Sequence, residues 1–260
     1  VFLDREMVHP GDISWEPLMA LGDVKIYKRT KPEEVVEGMG DAEAVFIDSV
    51  AITKEVMDAC SRLKFIGLAA TGYDHVNLNA AKDRGIAVYN VPSYSTDAVA
   101  QHGISLLLAV ANRVTDYSRA VMSGQWASIK KKAFSEMSPT RLAGKSLGIV
   151  GYGNIGKRVG EIAEALGMKI YRYSRERDAA LQADVVTLHC PLTRETEKMV
   201  DRNFISKMKD GAILINTARG GLIDEEALAE ALSSGKLAAA GLDVMAEEPP
   251  DMSGPLIGLD

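Results

Sequence analysis

The chain has 260 residues with 47% hydrophobic and 25% charged side chains, a length and balance that suit two globular domains, each with a core of its own. Its formal net charge of -6 excludes the basic footprint that binding to nucleic acid or an anionic membrane requires. The two cysteines, Cys60 and Cys190, exclude a disulfide framework and point to a reducing cytoplasm. No membrane span is expected: the longest apolar run, Ile104 to Ala111, contains Ser105 and is far shorter than the roughly 20 residues that cross a bilayer. The first residues, Val-Phe-Leu-Asp-Arg-Glu, lack the basic start, apolar stretch and cleavage site of a signal peptide. They read as the inside of a strand with no initiating methionine, so a start further upstream is expected.

Short β-like runs at Val1–Leu3, Val24–Tyr27, Ala44–Ile47, Phe65–Leu68 and Ile86–Tyr89 alternate with helix candidates at Trp15–Leu21, Pro32–Gly38, Lys54–Cys60 and Asn79–Arg84. Alternation of this kind predicts a parallel sheet covered by helices on both faces, a small doubly wound domain. Ligands of such sheets sit at the carboxyl ends of the strands, which makes the loop after the fourth run, Ala69 to His75, a candidate site. There Gly72 can present backbone N–H groups to an anion such as a carboxylate; a turn that simply needs a glycine explains it equally well. His75 reads as a surface or capping residue.

A second segment opens at Pro92 to Thr96. Ser95 or Thr96 can cap a long helix through Asp97, Ala100, Ile104, Leu107, Leu108 and Ala111, apolar enough to be buried on nearly every side. Such a helix suits a spine between two domains, with Gln101 and His102 near its start as weaker candidates for ligand contact. From Arg113 to Pro139 the pattern fades into a polar excursion that contains Trp126 and the basic residues Lys130, Lys131 and Lys132. That stretch is either a subunit contact or a solvated basic loop.

The stretch Leu147 to Gly156 carries the most information. Leu147, Ile149 and Val150 form a buried-strand run, and Gly151, Gly153 and Gly156 follow at G-x-G-x-x-G spacing. Ile155, Val159, Ile162, Ala163 and Leu166 then share one helix face that Gly167 can close. In a strand, turn and helix of this type the first glycine permits the tight turn and the second removes a side chain that would block a pyrophosphate. The third lets helix and strand pack closely. A dinucleotide is the expected ligand, held by Gly151, Gly153, Asn154, Ile155 and Gly156.

The following strand, Lys169–Tyr173, ends at Ser174 and Arg175, where an NAD enzyme would set an acid against the adenosine ribose. No acid stands there. Ser174 and Arg175, with Arg177 nearby, lean toward the extra phosphate of NADP; the alternative is that Arg175 stacks on adenine or faces solvent. Only Arg175 to Ala183 separate this strand from the next, Asp184–Leu188, fewer residues than a βα crossover needs, so a shortened chain or an absent stretch is expected. His189 to Thr193 end a strand on the adenine side, Glu195–Met199 and Arg202–Met208 read as helical, and Gly211 turns the chain into Ala212–Asn216. Thr217, Ala218 and Arg219 follow that strand, and Asp224 caps the helix Glu225–Leu232. The last strand, Ala238–Val244, delivers Asp243 and then Glu248, so Arg219, Asp243 and Glu248 are expected on one rim.

Taken as a set, these segments resemble the D-isomer-specific 2-hydroxyacid dehydrogenase family, most closely its glycerate dehydrogenase and hydroxypyruvate reductase members. The carrying segments are Thr71-Gly72-Tyr73-Asp74, Asn90 to Gln101, Leu142-Ala143-Gly144-Lys145 leading into Gly151 to Gly156, His189-Cys190-Pro191-Leu192-Thr193, Asn216 to Gly221, and Asp243-Val244 with Glu248-Pro249. They keep family order over nearly the whole chain.

The resemblance implies an α/β protein of two doubly wound parallel-sheet domains with a cleft between them. One would be a flavodoxin-like substrate domain at 1–94 and the other a Rossmann NAD(P) domain at 95–260. It implies hydride transfer between nicotinamide, as NAD or NADP, and a small D-2-hydroxy or 2-oxo acid. D-glycerate with hydroxypyruvate, or glyoxylate, comes first among these, in a cytoplasmic homodimer without a metal. Arg219 would pair with the acid, backbone near Thr71 and Gly72 would hold its carboxylate, and Asp243 would meet the nicotinamide carboxamide. Cys190, Pro191, Thr196, Thr217 and Ala218 would join Ser174 and Arg175 on the cofactor side. Glu248 would orient a histidine and raise its pKa so that it can protonate the substrate oxygen. In the family that histidine lies in a Pro-His segment soon after the Glu-Pro pair, which places it beyond Asp260. His189 belongs to the cofactor side, and His9, His75 and His102 precede the glycine turn in other segments. The alternative implied is a catalytically weak, nicotinamide-sensing corepressor or scaffold of the same fold.

Overall fold

Parallel strands at Ala44–Ile47 (β1), Phe65–Leu68 (β2) and Ala87–Tyr89 (β3) form the sheet of the first part of the chain, in the order β1-β2-β3. The structure is a computed structural model that describes residues 1–8, 11, 14–128 and 138–259. It divides into two units, Val1–Tyr94 and Ser95–Asp260. In the first unit the helices are Arg5–Val8 (α1), Glu16–Met19 (α2), Val35–Met39 (α3), Lys54–Ala59 (α4) and Leu78–Asp83 (α5). Val45, Ile47, Ile66 and Leu68 pack in one core with Val35 and Met39 of α3, Met57 of α4 and Ala80 and Ala81 of α5. Thr53 caps α4 by accepting from Val56 N–H, and Asn77 caps α5 by accepting from Ala80 N–H, the local chemistry that starts both helices.

The runs expected as strands at Val1–Leu3 and Val24–Tyr27 make only single bridges, Phe2 to Ile26 and Phe2 to Phe46. Phe2 N–H donates to Lys25 O at 2.9 Å and Tyr27 N–H to Phe2 O at 2.8 Å, and the chain then departs into α1 at Arg5, too soon for a longer ladder. The spatial order is nonetheless Ile26, Phe2, β1, β2, β3, which is the 2-1-3-4-5 order of a doubly wound sheet. Asp4, only 2% exposed, ties down the end of β1 by accepting from the N–H groups of Asp48, Ser49 and Val50.

The second unit holds the helices Thr96–Asn112 (α6), Val114–Met122 (α7) and Gln125–Ser128 (α8), then Ser146–Val150 (β4), Asn154–Ala165 (α9), Lys169–Arg172 (β5) and Arg177–Leu181 (α10). Val185–Leu188 (β6), Arg202–Ser206 (α11), Ala212–Asn216 (β7), Glu225–Ser233 (α12) and Leu237–Leu242 (β8) complete it. All five strands are parallel, in the order β5-β4-β6-β7-β8. Side-chain alternation divides the apolar residues between two faces. Leu147, Ile149, Ile213 and Ile215 pack against Ile104 and Leu107 of α6 and Val159 and Ala163 of α9. Val150, Val186, Leu188 and Leu214 pack against Phe204 and Ile205 of α11 and Leu228 of α12. Each fully buried Leu or Ile of this set contributes about 1.5–3 kcal/mol.

Three local expectations change. Ser95 stands at the N-cap of α6 but makes no side-chain capping bond, nor does Thr96, the first helical residue, cap it; the helix is held by its buried face of Ala100, Gly103, Ile104, Leu107 and Ala111 instead. Glu195–Met199 forms turns, with Lys198 at a φ of 48°, because Thr193 and Thr196 knit the segment into a loop. The segment Arg175–Ala183, read as too short for a βα crossover, completes one from β5 to β6. The five residues of α10 carry the chain over β4, made possible by Gly148, where any Cβ would collide with the Ala180 carbonyl, so this short helix lies with its backbone directly on the sheet. Compared with the usual 3-2-1-4-5-6 order, the strand that would flank β5 is absent among the described residues. Lys130, Lys131, Lys132 and His9 lie outside the described residues. Among the described residues no helix is long and apolar enough to cross a membrane.

Candidate active site

Because the five strands of the second unit are parallel, the residues that follow β4, β5, β6, β7 and β8 share one edge of the sheet. After β4 comes the glycine corner. Gly151 has a φ of 92°, in the left-handed region, and a Cβ there would strike His189 and Cys190, so the chain leaving β6 crosses hard against the turn. A Cβ on Gly156 would strike Gly151 O, which is the close strand-to-helix packing expected of the third glycine. Gly153 differs: a Cβ there meets nothing within 4 Å. It is the N-cap of α9 and offers no side-chain acceptor, so the N–H groups of the first turn, from Asn154, Ile155 and Gly156, sit at an open helix end suited to a phosphate.

After β5, Ser174, Arg175, Glu176 and Arg177 are all exposed. The turn is made by Arg175 N–H and Glu176 N–H donating to Arg172 O, and Arg175 has no side-chain partner among the described residues. Arg172 lies 4.2 Å from the centre of the Tyr152 ring and Arg177 5.1 Å from that of Tyr173, so two of the local guanidiniums are stacked and one is not. The acid absent from the strand end stands two residues after Ser174: Glu176 curls back so that its Oε2 lies 3.4 Å from Arg172 N.

After β6, burial pushes the His189 imidazole down to about 4, and its Nε2 is 3.0 Å from Thr187 Oγ1. A histidine held neutral by burial does not serve as an acid at neutral pH. Cys190 is half-buried with its Sγ 3.9 Å from Met199 Sδ, and burial raises its thiol pKa. The Thr196 hydroxyl is engaged in the loop itself, donating to Pro191 O and accepting from Thr193 N–H, both at 2.7 Å.

The end of β7 is the most constrained part of the edge. Asn216, fully buried, donates from Nδ2 to Arg219 O at 2.9 Å and accepts at Oδ1 from Ala218 N–H at 3.0 Å, which folds Thr217, Ala218 and Arg219 into one rigid loop. The Arg219 guanidinium donates to Ala218 O at 2.8 Å. The Thr217 hydroxyl is buried without a partner among the described residues. A Cβ on Gly220 would overlap Met245 and Ala246, so the chain that follows β8 runs directly across the Arg219 loop. This crossing sets Met245 and Ala246 against Gly220, the neighbour of Arg219, and accounts for the glycine.

After β8, Asp243 N–H donates to Asn216 O at 3.0 Å, while Asp243 Oδ1 lies 2.9 Å from His102 Nε2. Glu248 is exposed and its Oε1 accepts from Met245 N–H at 3.1 Å; Glu225, at the start of α12, accepts from Ala246 N–H at 2.8 Å. In the first unit, Thr71 Oγ1 donates to Val91 O at 2.9 Å and Asn90 Nδ2 donates to Thr71 O at 2.8 Å, so the loop that carries Gly72 is tied to the end of β3. Sequence reasoning assigned no role to Asn216, Asn90 or Glu225, and rated His102 low. Asn216, a polar residue at the last position of an apolar strand, and Asn90, just after the β3 run, carried a signal; Glu225 and His102 carried none.

The residues present suit a dinucleotide: an open helix end over Gly153, a turn too tight for side chains at Gly151 and Gly156, and an exposed arginine after β5. Residues 104–260 match the family model described as D-isomer specific 2-hydroxyacid dehydrogenase, NAD binding domain. The chain is 42% identical to a hydroxypyruvate reductase of Blautia hydrogenotrophica over 99% of this chain and 86% of that protein. It is 40% identical to a glycerate dehydrogenase of Methylorubrum extorquens over 96% of this chain and 82% of that one. Among solved structures, an acyclic imino acid reductase, Bsp5, in complex with NADPH and D-Arg superposes with a TM-score of 0.85 at 31% identity, covering 95% and 83% of the two chains. A D-lactate dehydrogenase of Aquifex aeolicus complexed with NAD and lactic acid does so with a TM-score of 0.82 at 30% identity, covering 90% and 74%. The strand-end chemistry, the two parallel sheets and these likenesses agree, and the chain belongs to the D-isomer specific 2-hydroxyacid dehydrogenase family of NAD(P)-dependent enzymes.

Proposed function

We propose that the protein interconverts a short 2-oxo acid, hydroxypyruvate or glyoxylate, with its D-2-hydroxy acid. D-glycerate is the hydroxy acid expected when hydroxypyruvate is reduced. The observation that carries this reading is the crossing at Gly220, which sets Arg219 beside the Asp243–Glu248 segment on the same sheet edge as the glycine corner. The names of relatives, hydroxypyruvate reductase and glycerate dehydrogenase, favour that substrate class.

On this reading residues 1–94 are the substrate domain and 95–260 the NAD(P) domain. A bound reduced nicotinamide supplies the hydride. Arg219, permanently charged and forked, grips the carboxylate and carbonyl oxygens of the acid and stabilises negative charge as it develops on the carbonyl oxygen. Backbone at Thr71 and Gly72, steadied by Asn90, receives the carboxylate. Glu248 is the carboxylate that orients a proton-donating imidazole. Gly151, Gly153, Asn154, Ile155 and Gly156 hold the pyrophosphate, Cys190, Pro191, Thr196, Thr217 and Ala218 line the cofactor side, and Asp243 receives the carboxamide. Ser174 and Arg175 favour NADP, supported by the exposed guanidinium of Arg175, which has no side-chain partner among the described residues.

A homodimer is part of the proposal. A surface groove of about 580 Å³ between α6 and α9 is lined by Ile104, Leu108, Ala109 and Ile162, and Val114, Val121 and Met122 of α7 expose apolar surface nearby in sequence.

Steady-state rates of the gene product with NADH and NADPH test the reading. Hydroxypyruvate or glyoxylate should be reduced, and Arg219→Gln should lower kcat/KM by about 10²–10³-fold. No consumption of either cofactor with any short 2-oxo acid, or an Arg219→Gln variant as active as the parent, would overturn it.

A further inference from the structure

The hydrogen bond between His102 and Asp243 joins the start of α6 to the end of β8, 141 positions apart in the sequence, and nothing in the proposed chemistry uses it. Both side chains are about half exposed, at 48% and 47%, and a pair so placed adds little to folding stability. Its geometric consequence is larger. An ionised carboxylate can only accept, so Nε2 carries the proton and donates to Asp243 Oδ1. The Asp243 backbone N–H is at the same time fixed on Asn216 O. With main chain and Oδ1 both held, the remaining oxygen, Oδ2, has no partner among the described residues and is confined to one direction. A Cβ on Gly103, the next residue of α6, would lie 3.6 Å from Thr217 Oγ1 and 3.8 Å from the His189 ring, so the turn that presents His102 runs close to the ends of β6 and β7.

We infer that His102 is a positioning residue for the nicotinamide amide: by holding Oδ1 it aims Oδ2 of Asp243 as the acceptor for an amide N–H. The inference rests on the reading that Asp243 faces the nicotinamide carboxamide. Without the imidazole the Asp243 side chain rotates among its staggered positions, and the amide acceptor is present only part of the time.

The test separates the nicotinamide half of the ligand from the adenosine half. Binding of NADH and NADPH is followed by nicotinamide fluorescence, and binding of ADP-ribose, which lacks the nicotinamide, by calorimetry. The proteins are the parent, His102→Leu, His102→Gln and Asp243→Ala, each checked for an unchanged thermal midpoint. His102→Leu should weaken reduced-cofactor binding about five- to tenfold and leave ADP-ribose within about twofold. His102→Gln, whose Nε2 amide can donate to the same oxygen, should restore binding to within about twofold of the parent. Equal weakening of NADH and ADP-ribose would assign His102 a structural role and overturn the inference. An Asp243→Ala variant that loses NADH affinity while His102→Leu does not would overturn it too, leaving the reading of Asp243 intact. If Asp243→Ala binds NADH as the parent does, the underlying reading fails and the inference with it.

Discussion

The loop after β7 and the turn after β5 occupy the same edge of one sheet, and they are built in opposite ways. Asn216 is fully buried and fastens both Ala218 and Arg219, Gly220 lets a second segment cross in contact, and Glu225 pins that segment from α12. Ser174 to Arg177 stand in solvent on two backbone bonds to Arg172 O. The difference matches what each region is asked to do on the proposed reading. Chemistry at a carbonyl tolerates errors of only a fraction of an ångström, so its residues sit where packing leaves a single arrangement. Recognition of a phosphate by a guanidinium is long-ranged and tolerant, and it changes without disturbing the core.

Breaking the crossing should have the largest effect. Gly220→Ala forces a Cβ into the backbone of Met245 and Ala246, and we expect a loss of more than about 4 kcal/mol in urea unfolding, together with loss of turnover. Gly221→Ala is the control, because its Cβ would meet only the movable Leu192 side chain, at 3.0 Å. Equal midpoints for Gly220→Ala and the parent would show that the loop is looser than its packing implies.

The buried edge should also be the acid-labile part of the domain. The folded pKa of His189 lies near 4, below its unfolded value of 6.5, so the unfolded chain binds the extra proton between those values. Stability from this group is therefore complete above about pH 6.5 and falls as pH drops toward 4, by about 3 kcal/mol at most. Burial alone would raise the Asp184 carboxyl, but hydrogen bonds from Lys209, Ser146 and Lys145 outweigh it and hold the group well below the usual carboxylate range. Its contribution persists above about pH 4 and disappears only at lower pH, so the two losses come in separate windows. Urea midpoints taken across this range should show the first loss in the parent and not in His189→Gln; a flat profile from pH 7 to 4.5 in the parent would refute it.

The smallest effect on stability, and the sharpest on selectivity, is expected at the open turn. Arg175→Ala should leave the unfolding midpoint within about 0.5 kcal/mol of the parent while raising KM for NADPH about tenfold and for NADH less than twofold. Parallel changes for both cofactors would remove Arg175 from the selectivity argument.

Much of this was legible along the chain. Gly151, Gly153 and Gly156 announce their corner by their spacing between an apolar strand run and a helix face, and the alternation of Leu147 with Ile149 or Ile213 with Ile215 encodes burial locally. Asp224 reads as a cap and is one, accepting from Ala227 N–H at 3.2 Å. The chain also misled in ways with physical causes. Val1–Leu3 has strand composition but α1 begins at Arg5, too soon for a ladder, which leaves Val24–Tyr27 only the single bridge from Phe2 to Ile26; Arg175–Ala183 is too short for an ordinary crossover only if the helix must stand off the sheet by the width of a side chain, which Gly148 removes.

Periodicity and turn chemistry by themselves determined the two parallel sheets and the glycine corner, since those properties are written in residues a few positions apart; the role expected of Arg219 came from the resemblance of the whole set of segments. Only the folded chain decided that His102 meets Asp243, that Glu225 fastens Ala246 and that Gly220 sits under Met245. Such pairs join segments from different elements, and their partners become neighbours only once the sheet has set the order of its strands; no local pattern carries that information.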